Sequence, residues 1–164
     1  LLYLPYLMGE RTPHLDPNAR GVFFGLSAMH TKRDMLRAVL EGVTYSLRDC
    51  VEVFREMGIS VDDMMACGGG GASPLWRSML ADLYNCPVKT VASKEGPSLG
   101  VAILASVGAG IYSSVPEACS AIVKTDKTQT PQAENVPVYE SYYQLYRKIY
   151  PALKAQFATL AGLQ

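Results

Sequence analysis

Residues 64–91 read MMACGGGGASPLWRSMLADLYNCPVKTV: a short apolar run, four consecutive glycines and an amphipathic stretch. Met64 to Cys67 has the make-up of a short buried strand running into the glycines. Ser73 suits an N-cap and Pro74 the first helical position, and Leu75, Trp76, Met79, Leu80 and Leu83 form an apolar face that ends at Asn85. CPVKTV, residues 86–91, reads as a second strand, which makes a strand–turn–helix–strand unit. A glycine turn ahead of a helix gathers unpaired N–H groups and the positive end of the helix dipole, as anion and nucleotide sites require. Backbone without Cβ atoms also lets a flat or bulky ligand lie against the main chain. A tight turn serving only helix–sheet packing would look the same.

Two phosphate patterns can be compared directly. The P-loop pattern Gly-x-x-x-x-Gly-Lys-Ser/Thr is missing. The dinucleotide pattern Gly-x-Gly-x-x-Gly almost fits from Gly68 and Gly70, but Ser73 stands where the third glycine is due. Glu95 follows the second strand some five residues beyond the ~20-residue spacing expected of a ribose-binding acid, so this alternative stays open.

Outward from this unit, residues 1–30 carry Pro5, Pro13, Pro17, Gly9, Gly21 and Gly25, and predict a structured loop region with GVFFGL as its one strand. Thr31 is a good N-cap with Asp34 three residues on. Met35, Leu36, Val39, Leu40, Val43, Leu47, Cys50, Val51 and Phe54 then recur at helical spacing up to Gly58. EGPSLGVAILASVGAG predicts a helix from Pro97 whose Gly100, Ala102, Ala105 and Ser106 would permit close helix packing. Ser114 caps a short helix through Ile122, and residues 124–136 read as an exposed connection. A helical tail follows, bent or restarted at Pro151, with Tyr139, Tyr143, Tyr146 and Tyr150 on one packed face. There is no internal repeat and no second domain boundary, so residues 1–164 are expected to form a single domain.

The 164 residues suffice for one globular domain that buries roughly 70% of its unfolded surface. Fifteen basic residues balance fifteen acidic ones without long runs, which argues against nucleic acid and anionic membranes as partners. Val101 to Tyr112 falls well short of the ~20 apolar residues of a bilayer span. The opening LLYLPYLMGERTP has no basic region before it and no small-x-small cleavage site, so no signal peptide is expected, and the missing initiator Met hints at a fragment. Cys50, Cys67, Cys86 and Cys119 are too widely spaced for zinc knuckles and predict buried free thiols in a reducing cytoplasm.

GGGGASPLWRSMLADLYNCPV resembles the C-terminal signature of the FGGY family of carbohydrate kinases, Gly-Gly-Gly-x-x-Ser-x-x-Trp followed by an Ala-Asp pair and a Pro-Val. LPYLMGERTPHLDPNARGVFFGL, RAVLEGVTYSLRD and EGPSLGVAILASVGAG resemble further landmarks of the same domain, in the same order. Among the family's branches the resemblance is greatest to the one acting on D-xylulose. Two positions depart from the pattern: Gly71 replaces a usual Ala, and Ala72 a frequent Lys or Arg, which removes a side chain available to a nucleotide.

The resemblance implies an α/β fold of the actin-like ATPase (ribonuclease H-like) type, this chain being the C-terminal half of a two-domain sugar kinase. It implies ATP/ADP along Gly69, Gly70 and Gly71, with Ser73 and Pro74 at the helix start beside the adenine. It also places the sugar, the Mg2+ site and the catalytic Asp mainly in an N-terminal domain outside this chain. The parent would transfer the γ-phosphoryl of Mg-ATP to the 5-hydroxyl of D-xylulose in the cytoplasm, and this half alone would be inactive. Gluconate, ribulose and glycerol kinases, a dinucleotide-binding oxidoreductase domain and a non-catalytic actin-like module remain as alternatives. Apolar surface facing the absent half admits a homodimer. The helix from Pro97 resembles the family's hinge-side helix, though Gly100 and Ala105 also suit plain packing. Arg11, His14 and Arg20 in GERTPHLDPNARG suit either a cleft or a network holding an irregular loop. Asp16 and Glu41 read as structural rather than catalytic.

Overall fold

A computed structural model describes residues 1–93 and 96–163. The elements run β1 (Leu2–Leu4), β2 (Val22–Phe24), α1 (Lys32–Glu56), β3 (Met64–Ala66), α2 (Gly68–Ala72), α3 (Pro74–Tyr84), β4 (Val88–Val91), α4 (Pro97–Gly108), α5 (Val115–Ile122), β5 (Thr125–Gln129) and α6 (Val136–Ala161). They fall into two compact units, each made of separated segments. Residues 1–61, 82–85 and 131 onward form the first; residues 62–81 and 86–130 form the second.

In the first unit β1 pairs antiparallel with β2, Tyr3 opposite Phe23. The sequence predicts only β2. Leu2, Tyr3 and Leu4 are all buried, so β1 has no alternation to read, and Pro5 follows at once. α1 begins as expected: Asp34 accepts from both the backbone N and the Oγ1 of Thr31, each at 2.7 Å. It closes at Gly58, whose φ of +77° supplies the left-handed residue past the helix end.

α6 runs unbroken through Pro151, so of the bend or restart the sequence predicts there, the restart does not occur. Proline removes one N–H from the ladder, but Tyr150 before it and Phe157 after it are both buried, and packing on both sides favours continuing the helix through it. The tyrosine face forms as expected. Tyr45 of α1 lies 5.1 Å from Tyr146 and 6.1 Å from Tyr143, ring centre to ring centre, and Tyr6 shares a buried 3.1 Å hydroxyl contact with Tyr146. Arg48 lies 4.0 Å over the Tyr143 ring and bonds Glu140 at 2.5 Å. Asp82, of the motif's Ala-Asp pair, accepts from the Gln132 backbone N at 2.7 Å and Asn135 Nδ2 at 2.9 Å, which ties down the approach to α6.

Asp49 accepts a 2.6 Å hydrogen bond from the Tyr143 hydroxyl, yet burial pushes its carboxyl above the ordinary range, with Glu10 and Glu52 adding to the effect. Since the folded chain holds this proton more tightly than the unfolded chain, stability falls as pH rises from about 4 through the raised value. Asp49→Asn keeps an acceptor for Tyr143 and removes that ionisation. Urea melts from pH 3 to 7 are expected to show the variant gaining on the native chain as pH rises; a difference that stays flat or reverses contradicts this assignment.

In the second unit β3 and β4 are parallel, with Met64 opposite Val88, and β5 joins β4 antiparallel with Lys89 opposite Thr128. β3 is half-exposed rather than buried. The expected connection at 124–136 contains β5: its TDKTQ sequence lacks apolar residues because four of its five side chains are exposed, and an edge strand of this kind is protected by its polar groups. α3 starts at Pro74 and ends at Asn85, with φ of +51°, as the sequence predicts, although Leu75 of the expected apolar face is exposed. Ser114 caps α5 by accepting from Glu117 N.

α4 starts at Pro97 and ends at Gly108, as the sequence predicts, but its packing differs. Among its described residues only Ile103 is buried, and a Cβ at Gly100 would meet no atom within 4 Å, so its small residues do not serve close packing inside this unit.

Candidate functional site

The four glycines form a short helix, α2, rather than a bare turn. β3 delivers the chain to Cys67, and Gly68, with φ of +71°, turns it into α2. The carbonyl end of α2 is tied to α3: Gly70 O accepts from Ser73 N at 3.1 Å, and Gly71 O accepts from Arg77 Nη1 at 2.5 Å. Ser73 Oγ in turn accepts from Trp76 N at 3.3 Å, so its expected role as the cap of α3 is realised.

The glycines are bare for two different reasons. A Cβ at Gly70 would lie 2.2 Å from the Trp76 ring, and one at Gly71 would lie 2.8 Å from the backbone of Ala66. These two admit neighbouring parts of their own chain. At Gly68, whose positive φ by itself favours glycine, and at Gly69 a Cβ would meet nothing within 4 Å. Both open onto a cleft of about 480 Å³. Its floor is Cys67 to Gly69 with Gly71 and Ala72, and its far side is Thr90 and Val91 at the end of β4, Ala92 and Ser93 after it, Gly96, and Asp126 and Lys127 of β5.

Of the residues the sequence selects, Gly69 and Gly71 therefore line the cleft, whereas Gly70, Ser73 and Pro74 do not. Arg77, Thr90, Asp126 and Lys127 are cleft residues that sequence reasoning missed. For Arg77 a signal existed: it shares the buried stripe of α3 with Leu80 and Tyr84 at spacings of three and seven, a charge where an apolar residue is expected. For Asp126 and Lys127 there was none, because β5 was itself unread. Glu95 lies outside the described residues.

The GERTPHLDPNARG loop belongs to the first unit, where its side chains serve the loop's own structure. His14 stacks on Tyr150 at 3.8 Å, and burial beside Lys154 pulls its imidazole below the ordinary range. Asp16 accepts from the Tyr150 hydroxyl and the Asn18 backbone N, both at 2.8 Å, and these bonds hold its carboxyl below the ordinary range. Arg20 donates to the carbonyls of Pro17 and Ala19, while Arg11 is exposed. Glu41 pairs with Arg37 and accepts from the Tyr139 hydroxyl.

Cys86 is the one buried cysteine; Cys67 is exposed, and Cys50 and Cys119 are partly so, against the expectation of four buried thiols. Among the described residues no three His, Cys, Asp or Glu side chains gather as metal ligands, and no helix is long and apolar enough to cross a membrane.

Residues 1–109 match the model of the FGGY family of carbohydrate kinases, C-terminal domain. Over 160 residues, 98% of this chain, the sequence is 43% identical to a xylulose kinase of Staphylococcus epidermidis, of which the match covers 32%. A ligand-bound xylulose kinase from Lactobacillus acidophilus is similar with a TM-score of 0.91 at 32% identity, covering 98% of this chain and 32% of that one. A gluconate kinase from the same organism gives 0.89 at 32% identity, with the same coverage. The chain thus spans about a third of the length of the relatives it matches. It belongs to the FGGY family of carbohydrate kinases, as a C-terminal domain with that family's α/β fold.

Proposed function

We infer that the cleft above Gly68 and Gly69 receives ATP and releases ADP, and that the whole protein phosphorylates a sugar, D-xylulose at its 5-hydroxyl. The observation that carries the nucleotide reading is the pair of glycines with no atom within 4 Å of a Cβ, flooring a cleft whose wall includes a buried arginine. The sugar reading is supported by xylulose kinases among both the curated relatives and the solved structures. The gluconate kinase likeness keeps a sugar acid as the second reading.

In this reading the chain is the second half of an actin-like ATPase. Its own residues bind and orient the nucleotide: the glycine floor admits it, the Arg77 lock fixes the floor, and Lys127 adds positive charge at the rim. Phosphoryl transfer depends chiefly on such positioning and on charge stabilisation. The metal and the general base are assigned to the N-terminal domain, as the family resemblance implies. The chain alone is accordingly inactive and, in this reading, cytoplasmic. The test is ATP-dependent phosphorylation by the full-length protein across D-xylulose, D-ribulose, D-gluconate and glycerol. D-xylulose is expected to give the highest kcat/KM; a preference for D-gluconate selects the second reading, and turnover of none overturns both.

A further inference from the structure

Arg77 is 6% exposed, yet the one partner its side chain has among the described residues is a neutral carbonyl, Gly71 O, reached by Nη1 at 2.5 Å. A guanidinium carries five N–H donors and keeps its charge in proteins. Burying that charge with a single carbonyl leaves most of its donors without a protein partner. No fully buried side-chain nitrogen among the described residues lacks a partner, so the unpartnered guanidinium nitrogens keep some accessible surface. Arg77 lines the cleft. The carboxylate on the cleft wall, Asp126, makes no ion pair with it, and none of the five ion pairs among the described residues includes Arg77.

We propose that Arg77 is an anion-binding residue of the cleft, holding the Gly71 carbonyl with one edge and a phosphate oxygen of the bound nucleotide with the other. This rests on the nucleotide reading and adds a specific role to it. A cation held rigid by its own floor presents donors in a fixed fork, the geometry in which arginine binds phosphate most strongly. The glycines of α2 bring no side chain between the two. Arg77 therefore ties the shape of the floor to the charge of its occupant, and adenosine, which has no phosphate, gains nothing from it.

Calorimetric titration of ADP and of adenosine into the chain separates the possibilities. ADP is expected to bind at least tenfold more tightly than adenosine. In Arg77→Gln, whose amide can still donate to Gly71 O, ADP should weaken about tenfold with adenosine within twofold, and Arg77→Lys should recover part of the loss. Equal weakening of both ligands, or none, overturns the phosphate role and leaves the nucleotide reading standing. If neither ligand binds the native chain, the nucleotide reading itself falls, and the proposal with it. A measurement on the native chain needs no variant to fold: phenylglyoxal labelling of Arg77, followed by peptide mass analysis. ADP should protect Arg77 and adenosine should not; labelling indifferent to ADP overturns the proposal.

Discussion

Replacing Tyr146 with alanine is expected to destabilise the first unit by about 4 kcal/mol, the usual range for truncating a buried aromatic side chain. Tyr146 is 1% exposed and stacks on Tyr45 at 5.1 Å and beside Tyr143 at 6.5 Å, so no solvent can fill the space it leaves. Its hydroxyl meets that of Tyr6, also 1% exposed, and truncation leaves that group buried with a partner removed. Tyr146→Phe separates the two contributions, since it keeps the ring and removes only the hydroxyl; about 1 kcal/mol is expected. Urea melts followed by tyrosine fluorescence and far-UV circular dichroism measure both. An alanine variant within 1 kcal/mol of the native chain would show that the tyrosine face is not the core of this unit.

The same glycine-to-alanine exchange is expected to act with opposite sign at two helical positions. Within a helix, alanine is favoured over glycine by about 1 kcal/mol. At Gly42 of α1 the added Cβ would stand 2.2 Å from the carbonyl oxygen of Tyr3, a backbone atom of β1 that cannot rotate away. Overpacking costs about 1–3 kcal/mol, and the 2.2 Å approach here puts Gly42 at the top of that range. Gly42→Ala should therefore lose about 2 kcal/mol net. At Gly100 of α4 the same atom enters open space, and Gly100→Ala should gain about 0.5–1 kcal/mol. Thermal melts of the two variants read the contrast directly. Equal signs would mean that helix propensity, and not the approach of α1 to β1, decides both.

What could be read from sequence follows from how far each signal reaches. Thr31 with Asp34, Ser73 with Pro74, Ser114 and Gly58 mark helix ends because capping is settled within a few residues. The tyrosines at 139, 143, 146 and 150 were legible because helical spacing alone puts them on one face. β1 and β5 were not: three buried residues show no period, and five polar ones resemble a loop until β4 is beside them. Pro151 does not restart the helix for a related reason, since packing on both sides outweighs one lost hydrogen bond.

At the site, the glycine cluster marks a segment that lines the cleft, but local sequence does not say which glycine faces what. Gly70 accommodates Trp76 and Gly71 the Ala66 backbone, contacts fixed only when α2 folds back on β3 and α3. A blocking substitution at Gly70 would consequently test the seat of Trp76 and not the cleft. Gly69 is the position that separates ligand from packing, as its Cβ would point into free space at the cleft floor.

The most direct measurement is accordingly a calorimetric titration of ADP into the native chain and into Gly69→Val, with melting curves to show that both are folded. ADP is expected to bind the native chain, Gly69→Val to weaken it at least tenfold, and the variant to melt within a few degrees of the native chain. ADP bound equally by both folded chains would contradict this, placing the nucleotide somewhere other than on the glycine floor.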